Sequence, residues 1–185
     1  MLTRPTQPRW RCLLGALLLL SACSGSEQVA VQRPVTPAEV NAFLEEVLDT
    51  APALSYSDLV ERLGPPIRVK VEPAAPPNAA TPPDTLRTLI YLGLELTITE
   101  SATSPASPPT RVALTDARYT SPEGLRVGYA ESQVLRTLGL PTQREPARLI
   151  YEKAGPQHCV LVVFLERRSV SRMEWRFNGE GRMGN

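Results

Sequence analysis

Apolar residues recur along this chain in three rhythms, and each predicts a different element. Between Leu13 and Leu20 they form one short run behind a basic start carrying Arg4, Arg9 and Arg11. Val40, Phe43, Leu44, Val47 and Leu48 fall at helical spacing, which predicts an amphipathic helix. From Ser169 to Phe177 apolar and polar residues alternate, which predicts a half-buried strand. Its alternation places Ser171, Met173, Trp175 and Phe177 on one face, with Val170, Arg172, Glu174 and Arg176 on the other.

Local signals punctuate these rhythms. Thr36 can cap the first helix, Pro37 suits its first turn and Glu39 completes a capping box. That helix is expected to stop before Pro52. Two later segments match at an offset of 75 residues: Ser57 to Pro66 and Ser132 to Pro141. Each reads as a short helix capped by its Ser and ended by Gly64 or Gly139. Behind each comes a Leu-Ile-Tyr run, Leu89 to Tyr91 and Leu149 to Tyr151. Further strands are expected at Leu94 to Thr99 and Arg111 to Tyr119, then at Cys159 to Leu165 and Ser169 to Phe177.

The expected fold is therefore α+β, with two tandem helix-plus-three-strand units, residues 35–122 and 123–185. Their strands would form one six-stranded antiparallel sheet or two adjoining sheets, with helices on one face. One unit alone would bury only about 60% of its chain surface, so the two are expected to share a core. Proline-rich stretches from Glu72 to Asp84 and from Ser101 to Thr110 are expected as loops, and the end after Asn178 as a turn and tail.

Composition changes the picture mainly at the N-terminus. The apolar run is too short for a spanning helix, which needs roughly 20 apolar residues. With its basic start and small residues it reads as a secretory signal peptide over residues 1–22. Leu20, Ser21, Ala22 and Cys23 resemble the lipobox of bacterial lipoproteins. The resemblance implies that Cys23 is lipidated and becomes the first mature residue, with residues 23–34 as a flexible tether. Ser24 follows rather than Asp, which in enterobacterial lipoproteins implies delivery to the outer membrane, facing the periplasm. The mature chain would keep 17 basic and 19 acidic residues, a net charge of −2. That argues against a nucleic-acid partner. Only Cys159 would remain as a thiol, so no intramolecular disulfide is expected.

A wider resemblance rests on Val127-Gly128-Tyr129-Ala130-Glu131-Ser132-Gln133-Val134, Leu138-Gly139-Leu140-Pro141, Leu149-Ile150-Tyr151 and the strands that follow. This pattern resembles the SmpA/OmlA (BamE) group of outer-membrane lipoproteins. It is also similar to the tandem fold of β-lactamase inhibitor proteins. The first resemblance implies a part in outer-membrane assembly or maintenance, and the second implies a duplicated fold.

Candidate chemistry is sparse. His158 is the only histidine, so a two-His metal site is ruled out and no cofactor or metal is expected. Cys159 follows it, but neighbours in a strand point to opposite faces and could not act as nucleophile and base. Glu45, Glu46 and Asp49 read as a solvated helix face, and Asp58 and Glu61 as first-turn carboxylates. Arg167 and Arg168 mark a turn. The polar side of the last strand, Arg172, Glu174 and Arg176, is the candidate protein-binding surface, with Tyr91 and Tyr151 as candidates to join it. The expected function is non-enzymatic: a lipid-anchored envelope protein that binds or scaffolds an envelope or outer-membrane protein. The alternatives are an inhibitor of an exported enzyme, a small-ligand carrier, or an envelope enzyme with an unfamiliar site.

Overall fold

The computed structural model describes residues 35–74, 84–101, 103–153 and 159–177. The expected signal peptide, lipobox with Cys23, tether and C-terminal tail, together with His158, lie outside the described residues.

Helix α1 spans Pro37–Thr50. Its start is closed by a reciprocal capping box: the Glu39 N–H donates to Thr36 Oγ1 at 3.3 Å, and the Thr36 N–H donates to Glu39 Oε2 at 2.8 Å. Val40, Phe43, Leu44, Val47 and Leu48 are its buried stripe. It ends at Ala51, whose φ of 39° lies in the left-handed region, directly before Pro52.

Helix α2 spans Tyr56–Leu63 and starts two residues earlier than expected. Ser55, not Ser57, is the cap, because Asp58 stands three residues after Ser55 and its Oδ2 accepts the Ser55 N–H at 2.8 Å. Helix α3, Glu131–Leu138, is likewise displaced from the expected Ser132 cap. Its cap is Ala130, which has no side-chain acceptor, and Gln133 Oε1 instead accepts the Ala130 N–H at 2.9 Å.

The strands are β1 (Arg68–Pro73), β2 (Thr85–Tyr91), β3 (Leu94–Glu100), β4 (Pro109–Leu114), β5 (Gln143–Glu145), β6 (Arg148–Lys153), β7 (Cys159–Glu166) and β8 (Ser169–Phe177). All pair antiparallel in one eight-stranded sheet of order β1-β2-β3-β4-β8-β7-β6-β5. This overturns the expected two tandem helix-plus-three-strand units. The helices divide unequally, two before β1 and one before β5, and β4 bonds directly to β8. Two strands are also added, β1 and β5, at the outer edges of the sheet. Edge strands bury little, so β1 (Arg-Val-Lys-Val-Glu-Pro) and β5 (Gln-Arg-Glu) carry no strong apolar alternation.

The proline-rich expectation also needs correction. Pro73 ends β1 and Pro109 opens β4, while residues 75–83 lie outside the described residues. Ser107 bridges to Leu54, and its hydroxyl accepts the Thr99 N–H at 3.1 Å and donates to the Thr99 carbonyl at 2.6 Å. Strand β4 stops at Leu114 rather than Tyr119: its partner β3 begins at Leu94, and the Thr115 N–H closes the ladder on the Gly93 carbonyl of the preceding turn at 3.0 Å.

One face of the sheet carries Leu89, Leu94, Leu96, Ile98, Val112, Leu114, Leu149, Leu161, Val163, Met173 and Trp175. These residues share a single core with Leu44, Val47, Leu59, Leu63 and Val134 of the three helices. Cys159 is buried at the edge of that core, as expected for a strand cysteine. Val170, expected on the wet face, is also in the core. A bulge between Phe164 and Leu165 shifts the β7–β8 register and with it the side to which Val170 points.

Candidate protein-binding face

The other face of the sheet carries no helix-borne apolar partner in that core, and its residues follow from register alone. One row crosses all eight strands: Arg68, Ile90, Glu95, Ala113, Glu174, Val162, Ile150 and Gln143. The adjoining row includes Lys70, Thr88, Thr97, Arg111, Arg176 and Val160. On the far side lie Arg172, Phe164 and Arg148.

These rows build a charged clasp around Glu174, which is 4% exposed. Arg176 Nε donates to Glu174 Oε1 at 2.6 Å, and Arg172 Nε to Oε2 at 3.1 Å. Arg111 Nη1 reaches the same Oε2 at 3.4 Å. Arg111 and Arg172 also donate to Glu95 Oε2, at 2.9 and 3.1 Å. Ala113 lies between the two carboxylates and is fully buried beneath this network. A larger side chain there would occupy the space through which the two arginines reach both glutamates. Burial pushes the Glu174 carboxyl up, but the Arg176 hydrogen bond and the charges of Arg176, Arg111 and Arg172 outweigh it. The net effect holds it below the usual carboxylate range.

Three guanidinium groups face two carboxylates, so the clasp carries one excess positive charge. Arg176 is its most exposed member, at 51% of its side chain. Beside the clasp lies an apolar strip of half-buried Val160, Phe164 and Ile150 around buried Val162. A charged cluster flanked by an apolar strip is the composition of a recognition surface more than of a reaction centre.

The structure brings together Arg172, Glu174 and Arg176 as expected, and adds Arg111 and Glu95. It does not bring Tyr91 or Tyr151 to them. Both tyrosines point to the helix-covered side and pack against the core. Burial pushes the Tyr91 hydroxyl well up, and among the described residues that hydroxyl has no hydrogen-bond partner. Tyr151 donates to the Gly139 carbonyl at 3.3 Å, behind the end of α3, and burial raises its hydroxyl too.

A second charged group was not evident in the sequence. Glu131, at the first turn of α3, is 6% exposed and receives Arg144 of β5 and Arg168 of the β7–β8 turn. The Glu131 N–H also donates to the Arg168 carbonyl at 2.9 Å. Glu131 thus ties α3 to β5 and to the turn that Arg167 and Arg168 form. Among the described residues no group of His, Cys, Asp and Glu is arranged to hold a metal ion. No described helix is long and apolar enough to cross a membrane.

No family model matches the chain, and no curated protein matches it. Among solved structures, it aligns with a DUF4309 family protein (YjgB) from Bacillus subtilis subsp. subtilis str. 168. The identity is 10% and the TM-score 0.40, over 77% of this chain and 98% of that one. At that TM-score the likeness carries no argument about fold or function.

Proposed function

We propose that this chain is a lipid-anchored protein of the bacterial envelope that binds another envelope protein through its open sheet face, without catalysis. The observation that carries the binding role is the Glu174 clasp beside its apolar strip. It is preorganised, partly exposed at Arg176, and flanked by Phe164 and Ile150. A partner with an acidic or polar segment next to an apolar one would meet complementary groups on both halves. The anchor rests on the Leu20-Ser21-Ala22-Cys23 lipobox behind a basic, apolar leader. Lipid chains on Cys23 would confine the domain to the membrane surface and raise its local concentration near a membrane partner. An outer-membrane protein under assembly or maintenance is the partner class that the lipoprotein resemblance favours.

The test is purification of the lipidated protein from membranes in mild detergent, beside two controls. One is Cys23→Ala behind a cleavable secretory signal, and the other is Arg176→Ala, checked for an unchanged thermal transition. A stoichiometric membrane protein that accompanies the native chain and is lost from both controls is the expected result. A soluble enzyme retained with Cys23→Ala would replace this reading with that of an inhibitor. No partner in any sample would sink the scaffold reading.

A further inference from the structure

Strand β1 is an edge strand whose outward hydrogen-bonding groups can be identified. The Ala74 N–H donates to the Asp84 carbonyl at 2.7 Å, which marks the bonded pairs of the β1–β2 ladder. Counting back in twos through the register, Glu72, Lys70 and Arg68 also direct their backbone groups at β2. The two-residue turn that pairs Tyr91 with Leu94 agrees. It commits the alternate residues of β2 to β3 and leaves Leu86, Thr88 and Ile90 for β1. Val69, Val71 and Pro73 therefore present their backbones outward from the sheet.

That edge has features that single out one partner. Every β1 residue except Val69 is exposed, and Val71 is 57% exposed although apolar. Pro73, which has no N–H to donate, stands where the missing donor would face outward, the position in which an edge strand tolerates proline. Lys70 and Glu72 lie on one face of β1, two residues apart and opposite in charge.

We propose that β1 pairs antiparallel with β1 of a second copy of this chain, about a two-fold axis at Val71. In that register the two Val71 residues exchange both backbone hydrogen bonds. Each Val69 N–H donates to the partner's Pro73 carbonyl, so proline is asked only to accept. Each Lys70 stands opposite the partner's Glu72, in the non-hydrogen-bonded pairs where side chains come closest. Shifting the axis to Lys70 would set two lysines face to face, and charge thereby selects the Val71 register. The open face of each copy would continue across the junction into one sixteen-stranded sheet, twice the eight strands of a single chain. An edge-only contact is small and associates weakly, so it is best captured covalently.

The test uses the full chain, extracted in mild detergent, carrying Val71→Cys. Mild oxidation is expected to give a disulfide joining the two substituted positions, identified by mass spectrometry of the bridged peptide, in a yield that rises with protein concentration. Adding Lys70→Glu alone, or Glu72→Lys alone, is expected to cut that yield several-fold. Adding both reversals together is expected to restore it. The three substituted positions, Lys70, Val71 and Glu72, are all exposed, and thermal melting confirms that each variant is folded. Absence of the bridged peptide from a folded variant at every concentration would overturn the proposal. So would a yield indifferent to the charge reversals.

Discussion

Glu174 shows how a single buried carboxylate can organise a surface. Leaving water is costly for it, and three guanidinium groups compensate by surrounding it. Glu174→Gln keeps the shape but removes the charge that holds Arg111, Arg172 and Arg176. It is expected to destabilise the fold by about 1–3 kcal/mol at neutral pH, read from urea unfolding. The pH dependence has a defined sign. The folded carboxyl titrates below its unfolded value of about 4.3, so its contribution is complete above that value. It is lost as pH falls through the lower, folded value. The difference between native chain and variant is therefore expected to shrink on acidification, and a gap unchanged down to strong acid would contradict the pairing. Three of the five members of this group were legible from period two alone, because Arg172, Glu174 and Arg176 are alternate residues of one strand. Arg111 and Glu95 were not, since they lie 63 and 77 residues from the β8 residues they meet and only register brings them there. For the same reason the sequence does not show which face of the sheet Tyr91 and Tyr151 take.

Among elements, the turns carry the strictest local demands. The Leu92-Gly93 turn joins β2 to β3, with Gly93 at a φ of 83°. A Cβ on Gly93 would lie 2.3 Å from Cβ of Asp116, on backbone fixed by the Thr115 hydrogen bond. Gly93→Ala thus combines strain with a collision that no side-chain rotation relieves. The strain alone is worth about 1–3 kcal/mol, and a thermal transition within a degree of the native chain would refute the geometry. The β7–β8 turn makes a different choice, with Arg167 and Arg168 at φ of 50° and 64° where Asn-Gly would be usual. Its position was readable, because two charged residues interrupt an alternating run. Helix α1 was readable too, since Thr36, Pro37, Glu39 and its apolar stripe agree. The starts of α2 and α3 were not, because Ser55 and Ser57 both offer a hydroxyl and Ala130 offers none. Strands β1 and β5 escaped notice because an exposed edge leaves almost no hydrophobic signature.

At the scale of the whole molecule, the decisive feature is the β4–β8 junction. It turns what reads as two successive units into one continuous sheet and places Arg111 beside Arg176. Every other pairing joins strands consecutive in the chain. Among the described strands, the six other contacts each join neighbours in the chain, while Val112 and Trp175 must find each other across the entire second half of the fold. Closure entropy grows with that separation, and topologies with such distant contacts fold more slowly. The junction is thus expected to set the pace of folding. In stopped-flow refolding, Val112→Ala should lower the folding rate, whereas Val69→Ala on the peripheral β1 should act mainly by speeding unfolding. Equal effects of the two on the folding limb would mean that the sheet assembles from somewhere else. A chain that reads locally as a succession of simple turns thus commits to its native state through one late, long-distance encounter.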